Sequence, residues 1–90
     1  MTIEKTIKEK MKQEKVLLGY KSVMKSLKTS RPEVIVYANN LPDERRKMVE
    51  HNAKISNVEI KEYPNDSVNL GLVCGKPFSV SVLAIKRSKK

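Results

Sequence analysis

Val34-Ile35-Val36-Tyr37 is a continuous β-rich run, and Asn39-Asn40-Leu41-Pro42 follows it as a loop. A strand with one solvated face alternates apolar and polar residues, whereas a strand without alternation is covered on both faces. Helices are therefore expected on both sides of the sheet that holds this run. Upstream, Ser22 to Leu27 has helical spacing, with Val23, Met24 and Leu27 as an apolar stripe and Lys21, Lys25 and Lys28 as a basic one. Arg31-Pro32 ends that helix, because the residue before a proline is pushed out of the α region. Downstream, Asp43 to Ser56 is the longest helical stretch. Met48, Val49, Asn52, Ala53 and Ile55 are its expected inward face, and Asp43 and Glu44 suit the positive end of its dipole.

Farther out the alternation continues. Ile3, Ile7 and Met11 recur every four residues, which predicts an amphipathic helix over about 2–13. Val16-Leu17-Leu18 reads as a short buried strand that stops at Gly19. Val58 to Tyr63 alternates as a half-exposed strand does. Pro64-Asn65-Asp66-Ser67 is a turn able to cap a helix, Val68, Leu72 and Val73 follow with helical spacing, and Gly75 stands where a left-handed C-cap belongs. Ser79 to Ile85 is a last strand, with Val80, Val82 and Ala84 facing opposite to Leu83 and Ile85. The order α-β-α-β-α-β-α-β predicts an α/β fold, a three-layer α-β-α sandwich in one domain.

Of 90 residues, 19 are Lys or Arg and 10 are Asp or Glu, a net charge of +9. Residues 1–31 carry +6, residues 32–75 carry −2 and residues 76–90 carry +5. A fold that brings the two ends together makes one positive face, which attracts a polyanion by counterion release. With 39% apolar residues the chain is too hydrophobic for a disordered polycation. Nucleic acid is favoured over a membrane surface, because the first helix lacks the Trp or Phe that would sit among headgroups. The apolar runs are far shorter than the ~20 residues of a membrane span. No charged-then-apolar leader is seen, so no secretory signal is expected. One cysteine and one histidine exclude an internal disulfide and a Cys/His zinc site built from this chain alone.

Catalysis has little material. Gly71-Leu72-Val73-Cys74-Gly75-Lys76-Pro77 fails as a phosphate-binding P-loop: three residues separate the glycines instead of four, and Pro77 stands where a magnesium-binding Ser or Thr is needed. His51 and Cys74 have no third orienting group, and Cys74 sits in an apolar stretch where a small buried thiol is ordinary. Glu59 and Glu62 fall on opposite faces of their strand. No enzymatic reading has residues to stand on.

The loops carry more. In Gly19-Tyr20-Lys21-Ser22 a glycine lets backbone N–H groups approach a phosphate, a helix start adds partial positive charge and Lys21 a full one; a plain strand-to-helix turn reads equally well. Asn39-Asn40 can read base edges or simply form a turn. Arg45-Arg46-Lys47 opposes the dipole of the helix it begins, a cost that suggests a partner. Phe78 either stacks on a base or plugs the core, and its period slightly favours the core. If the fourth strand runs antiparallel to the others, these loops meet at one edge of the sheet.

Leu18-Gly19-Tyr20-Lys21-Ser22, then Val34 to Asn40, then Asn69-Leu70-Gly71 with Gly75-Lys76, Phe78 and Val80, resembles the L30e ribosomal proteins of the archaeal and eukaryotic large subunit, within the L7Ae superfamily of kink-turn RNA binders. The resemblance covers about residues 14–85 and rests on order and spacing rather than on one motif. It implies a four-stranded mixed sheet in an α-β-α sandwich, an RNA-binding domain over 1–85 and a basic tail over 86–90. By position, Gly19 and Lys21 match a turn that meets the RNA backbone, Asn40 an asparagine that contacts a guanine of the kink, and Arg45 a basic contact on the next helix. Phe78, Val80 and Ser81 match a loop that packs on extruded bases, which moves Phe78 from core plug to stacking residue. With neighbours Tyr20, Ser22, Asn39 and Ser79 these form the expected RNA-binding set. Asn69 stands where the family commonly has Glu, and Ser81 where it commonly has Gly.

The implied function is that of a structural constituent of the large ribosomal subunit, bound to a kink-turn in rRNA, in the cytoplasmic ribosome. Neighbouring ribosomal proteins are the other expected partners. No cofactor, metal or membrane is implied, and the free chain is expected to be monomeric. The alternatives are a non-ribosomal kink-turn protein, such as a guide-ribonucleoprotein core subunit or an mRNA regulator, and a protein-interaction module.

Overall fold

The computed structural model describes residues 3–13, 15–29 and 32–86. Their elements follow the expected order: α1 (Ile3–Lys12), β1 (Val16–Leu18), α2 (Tyr20–Thr29), β2 (Val34–Ala38), α3 (Asp43–Ile55), β3 (Glu59–Tyr63), α4 (Ser67–Val73) and β4 (Val82–Ile85). Thr2, Arg31 and the tail beyond Lys86 lie outside the described residues, as does the side chain of Ile3.

The four strands form one mixed sheet in the order β1-β4-β2-β3. β4 is antiparallel to both β1 and β2, and β2 is parallel to β3. β2 and β4 are thus the central strands, and their side chains go alternately to two separate cores. On one face Val36, Ala38, Tyr63, Leu83 and Ile85 pack with Ile7 of α1 and with Leu70 and Cys74 of α4 and its C-cap. On the other, Ile35, Val82 and Ala84 pack with Val23 and Leu27 of α2 and with Val49 and Ala53 of α3. This is why Val34 to Tyr37 shows no alternation: both faces of β2 are roofed by helices. Each fully buried Val, Leu or Ile contributes about 1.5–3 kcal/mol relative to an exposed one.

Two helices end alike. In α4 the Gly75 N–H bonds the Leu72 carbonyl and the Lys76 N–H reaches the Gly71 carbonyl, with Gly75 at φ +72°. In α3 the Asn57 N–H bonds Lys54 and the Val58 N–H bonds Ala53, with Asn57 at φ +58°. Both are Schellman closures, with Gly or Asn in the left-handed position.

Several expected faces are corrected. β1 is half-buried rather than buried, because it is an edge strand. Met48 and Ile55 of α3 point outward; the helix buries only its Val49–Ala53 stripe. In α4 the inward residues are Ser67, Leu70 and Gly71, while Val68 and Leu72, the apolar residues that mark its helical spacing, are exposed. The helix leans on its smallest residue, which an apolar-periodicity count passes over. β4 starts at Val82 rather than Ser79, so the period of two does not extend back to Val80, which packs in the core with Leu83 and Ile85.

Candidate nucleic-acid interface

With β4 antiparallel to its neighbours, the carboxyl ends of β1 and β2 and the amino end of β4 share one edge of the sheet. A depression of about 320 Å³ opens there, lined by Leu18, Gly19, Tyr20, Arg45, Phe78, Ser79, Val80 and Ser81. Three chain segments far apart in sequence supply it. Gly19 turns β1 into α2 at φ +96°, and the space where a Cβ would stand is open. Only a residue at ease in this backbone region leaves that approach free. Tyr20 and Lys21 then start α2, whose first N–H groups present partial positive charge toward the same edge.

Arg45 reaches the depression from the first turns of α3, its guanidinium 5.0 Å from the centroid of the Tyr20 ring. A cation over a ring face is attracted by the ring quadrupole. Arg46 pairs with Asp43 one turn back at 3.3 Å. Two of the three bases at this helix start, Arg45 and Arg46, therefore gain local contacts, so their cost against the dipole is partly offset within the fold.

The wall formed by residues 78–81 is tied to the sheet and to α4. The Ala38 N–H bonds the Ser81 carbonyl at 2.8 Å, and the Val80 N–H bonds the Ser67 carbonyl at 3.0 Å. Asn40 closes the ring: its Oδ1 accepts from the Ser67 N–H at 3.0 Å and its Nδ2 donates to Ser67 Oγ at 3.3 Å. Asn39 is bonded to the same turn, by its N–H to the Asn65 carbonyl and by its Nδ2 to the Pro64 carbonyl. Asp66 caps α4 as expected, accepting from the Asn69 N–H and from its side-chain amide. Those bonds hold its carboxyl below the usual range, the backbone donor foremost.

Phe78 is 56% exposed at this edge. It is not a core plug. Val80 by contrast is buried, so its side chain faces the core and only its surface contributes to the depression floor. Of the expected RNA-binding set, Gly19, Tyr20, Arg45, Phe78, Ser79, Val80 and Ser81 come together. Lys21 is exposed beside them on α2, Ser22 lines a different depression on the outer side of α2, and Asn39 and Asn40 bond the 64–67 turn. The sequence reading missed the Tyr20–Arg45 contact and the part played by Ser67; neither has a local signal, since each depends on segments about 25 residues apart meeting in space.

Among the described residues His51 and Cys74 are not brought together in a shared pocket. Burial pushes the Cys74 thiol up, with Lys76 only partly opposing it. Among the described residues no group of His, Cys, Asp and Glu is arranged to hold a metal ion, and no helix is long and apolar enough to cross a membrane.

Fold and edge together define a small basic α-β-α sandwich with a composite, positively charged loop edge. The model of the ribosomal protein L7Ae/L30e/S12e/Gadd45 family matches residues 1–90, and the chain belongs to that family. It is 36% identical over 86 residues to the large ribosomal subunit protein eL30 of Methanothermobacter thermautotrophicus, covering 96% of this chain and 88% of that one. It is 37% identical over 84 residues to eL30B of Schizosaccharomyces pombe, covering 93% and 72%. These relatives are ribosomal proteins, structural and not enzymes. Among solved structures, a Bacillus halodurans protein of unknown function superposes with TM-score 0.82 at 16% identity, over 91% of this chain and 81% of that one. A 15.5 kD RNA binding protein of Giardia lamblia does so with TM-score 0.78 at 14% identity, over 92% and 69%. At such identities these two establish the fold alone.

Proposed function

We propose that this chain is a structural protein of the large ribosomal subunit that clamps a kink-turn in rRNA at the loop edge. The observation that carries the reading is the depression lined by Leu18 to Tyr20, Arg45 and Phe78 to Ser81. It combines an open glycine turn at a helix start, a positioned guanidinium and an exposed aromatic ring. Those are the three elements needed to hold a phosphate backbone while an unstacked base lies on a ring. Lys21 adds a charge that positions any RNA, whereas the shape of the kink supplies specificity. Identity to eL30 proteins over nearly the whole chain supports a ribosomal host.

The test is affinity for a short kink-turn RNA against the same RNA with its sheared G·A pairs replaced by Watson–Crick pairs. At near-physiological salt, non-specific binding has a Kd of roughly 10⁻⁴–10⁻⁶ M. Binding far tighter than this to the intact kink alone is the expected result; equal, weak binding to both sinks the reading. Sedimentation with large subunits is expected, and recovery only in small ribonucleoproteins would assign the chain another host.

A further inference from the structure

The outer flank of the molecule, where α2 lies beside the open edge of β1, carries a second set of cations away from the loop edge. A depression of about 350 Å³ there is lined by Leu17, Ser22, Lys25, Ser26, Thr29 and Lys86. No acid lines it, and α2 itself contains none. Lys25 and Lys86 form no ion pair among the described residues. Among the described residues Glu33 comes beside Lys86, its N–H bonded to the Ile85 carbonyl, yet it forms no ion pair with the lysine.

The backbone adds a second element. β1 is an edge strand, paired only with β4. The Lys15 carbonyl accepts from the Lys86 N–H and the Gly19 N–H donates to the Val82 carbonyl, so positions 15, 17 and 19 turn their polar groups toward β4. In an antiparallel ladder the alternate positions then turn theirs to the open side, so Val16 and Leu18 present theirs outward beside the lysines. α2 runs from Tyr20 in the loop-edge depression down to Thr29 in the flank depression, about 15 Å at 1.5 Å per residue. Lys21, Ser22 and Lys25 are thus laid out along one helix from the edge, whereas the Ser26 and Thr29 hydroxyls donate to the Val23 and Lys25 carbonyls.

We infer that this flank is a second RNA-contact surface, taking the phosphate backbone of the helical arm that leaves the kink. The inference rests on the loop-edge reading above. Lys25 and Lys86, without ion pairs among the described residues and with the Ser22 hydroxyl and the open edge of β1 beside them, suit a polyanion. The flank holds few exposed apolar groups to bury against a folded protein.

The experiment compares a minimal kink-turn RNA with two versions in which one or the other arm is lengthened by about ten base pairs, using wild type, Lys25→Gln, Lys86→Gln and the double variant. Wild type is expected to bind one lengthened RNA more tightly, with a steeper salt dependence than for the minimal RNA. Each phosphate contact contributes about 0.9 to the slope of log K against log salt, so the double variant should lower the slope for that RNA by about two and leave the minimal RNA unchanged. Equal binding of all three RNAs by wild type, or an unchanged slope in the double variant, overturns the inference while leaving the loop-edge reading intact. Loss of discrimination between intact and disrupted kinks in wild type overturns the loop-edge reading instead. The flank is then judged on plain duplex RNA, where an unchanged slope in the double variant overturns it. Binding of polyglutamate by the flank as tightly as the lengthened RNA, lost in the same double variant, would assign it to an acidic protein segment and also overturn the proposal.

Discussion

The backbone of Phe78 rests directly on Gly71: a Cβ built on Gly71 would fall on the Phe78 carbonyl oxygen and stand 3.3 Å from Ser79 Cα. α4 therefore serves as the bed on which the aromatic wall of the loop edge lies, and that bed admits no side chain. Gly71→Ala is expected to destabilise the fold by about 1–3 kcal/mol through overpacking. It should also weaken kink-turn binding, because Phe78 and Ser79 must shift. Urea unfolding and RNA titration read the two effects separately. Wild-type values in both would mean that the segment moves aside freely.

Phe78 itself contributes little to the core, being 56% exposed. Phe78→Ala is expected to leave the unfolding midpoint nearly unchanged and to weaken kink-turn binding by about 1–3 kcal/mol, the worth of one base–aromatic stack. Phe78→Trp should retain binding. A stability loss in the alanine variant comparable to a core truncation would contradict the observed exposure.

The alternation of helices and strands was legible because each strand is short, Arg31-Pro32 and Gly75 stop two of the helices and β2 lacks polar alternation. What escaped reading had a consistent cause. Val68 and Leu72 give α4 its helical spacing, yet both are exposed and the helix buries Gly71 beside Leu70, and a glycine sends no hydrophobic signal. Met48 and Ile55 misled in the same way, since α3 needs only a Val49–Ala53 stripe to cover its share of the sheet. At the loop edge, Gly19 was legible as a turn from residue type, whereas the period of Phe78 slightly favoured the core and only the resemblance moved it outward. Asn40 was read as a base contact or a plain turn residue, and its bonds to Ser67 escaped because they link segments 27 residues apart.

Tyr20 and Arg45 tie the starts of α2 and α3 together at the loop edge. An exposed cation–π contact is worth about 0.5–1 kcal/mol, so Tyr20→Phe should preserve RNA affinity and Tyr20→Leu should lower it modestly. In an Arg45→Met background the Tyr20→Leu change is expected to cost nothing further. A full double-mutant cycle in RNA affinity measures the coupling, and strict additivity would show that the ring does not act through the guanidinium.

Cys74 is buried in the core beside Leu70 and Val80, and its thiol is pushed up by that burial. The protonated form is thus favoured in the folded state, so any linked stability is present below the ordinary thiol value and declines as pH rises above it. Iodoacetamide at pH 8 should modify native protein far more slowly than protein in denaturant. Rapid native modification would reveal opening of α4 from the sheet.

Asn40 distinguishes a structural part from an RNA contact. Its amide bonds both the N–H and the hydroxyl of Ser67, joining the end of β2 to the first residue of α4. Asn40→Ala removes both bonds and is expected to cost about 1–2 kcal/mol of stability. Asn40→Asp keeps an acceptor for the Ser67 N–H, and the Ser67 hydroxyl can turn to donate, so stability should stay near wild type. The same change removes a donor and places a negative charge at the loop edge, so kink-turn binding should fall steeply. Asn40→Asp binding RNA like wild type would confine Asn40 to holding α4, whereas a stability loss matching that of alanine would show that the amide donor, not the acceptor, carries the link.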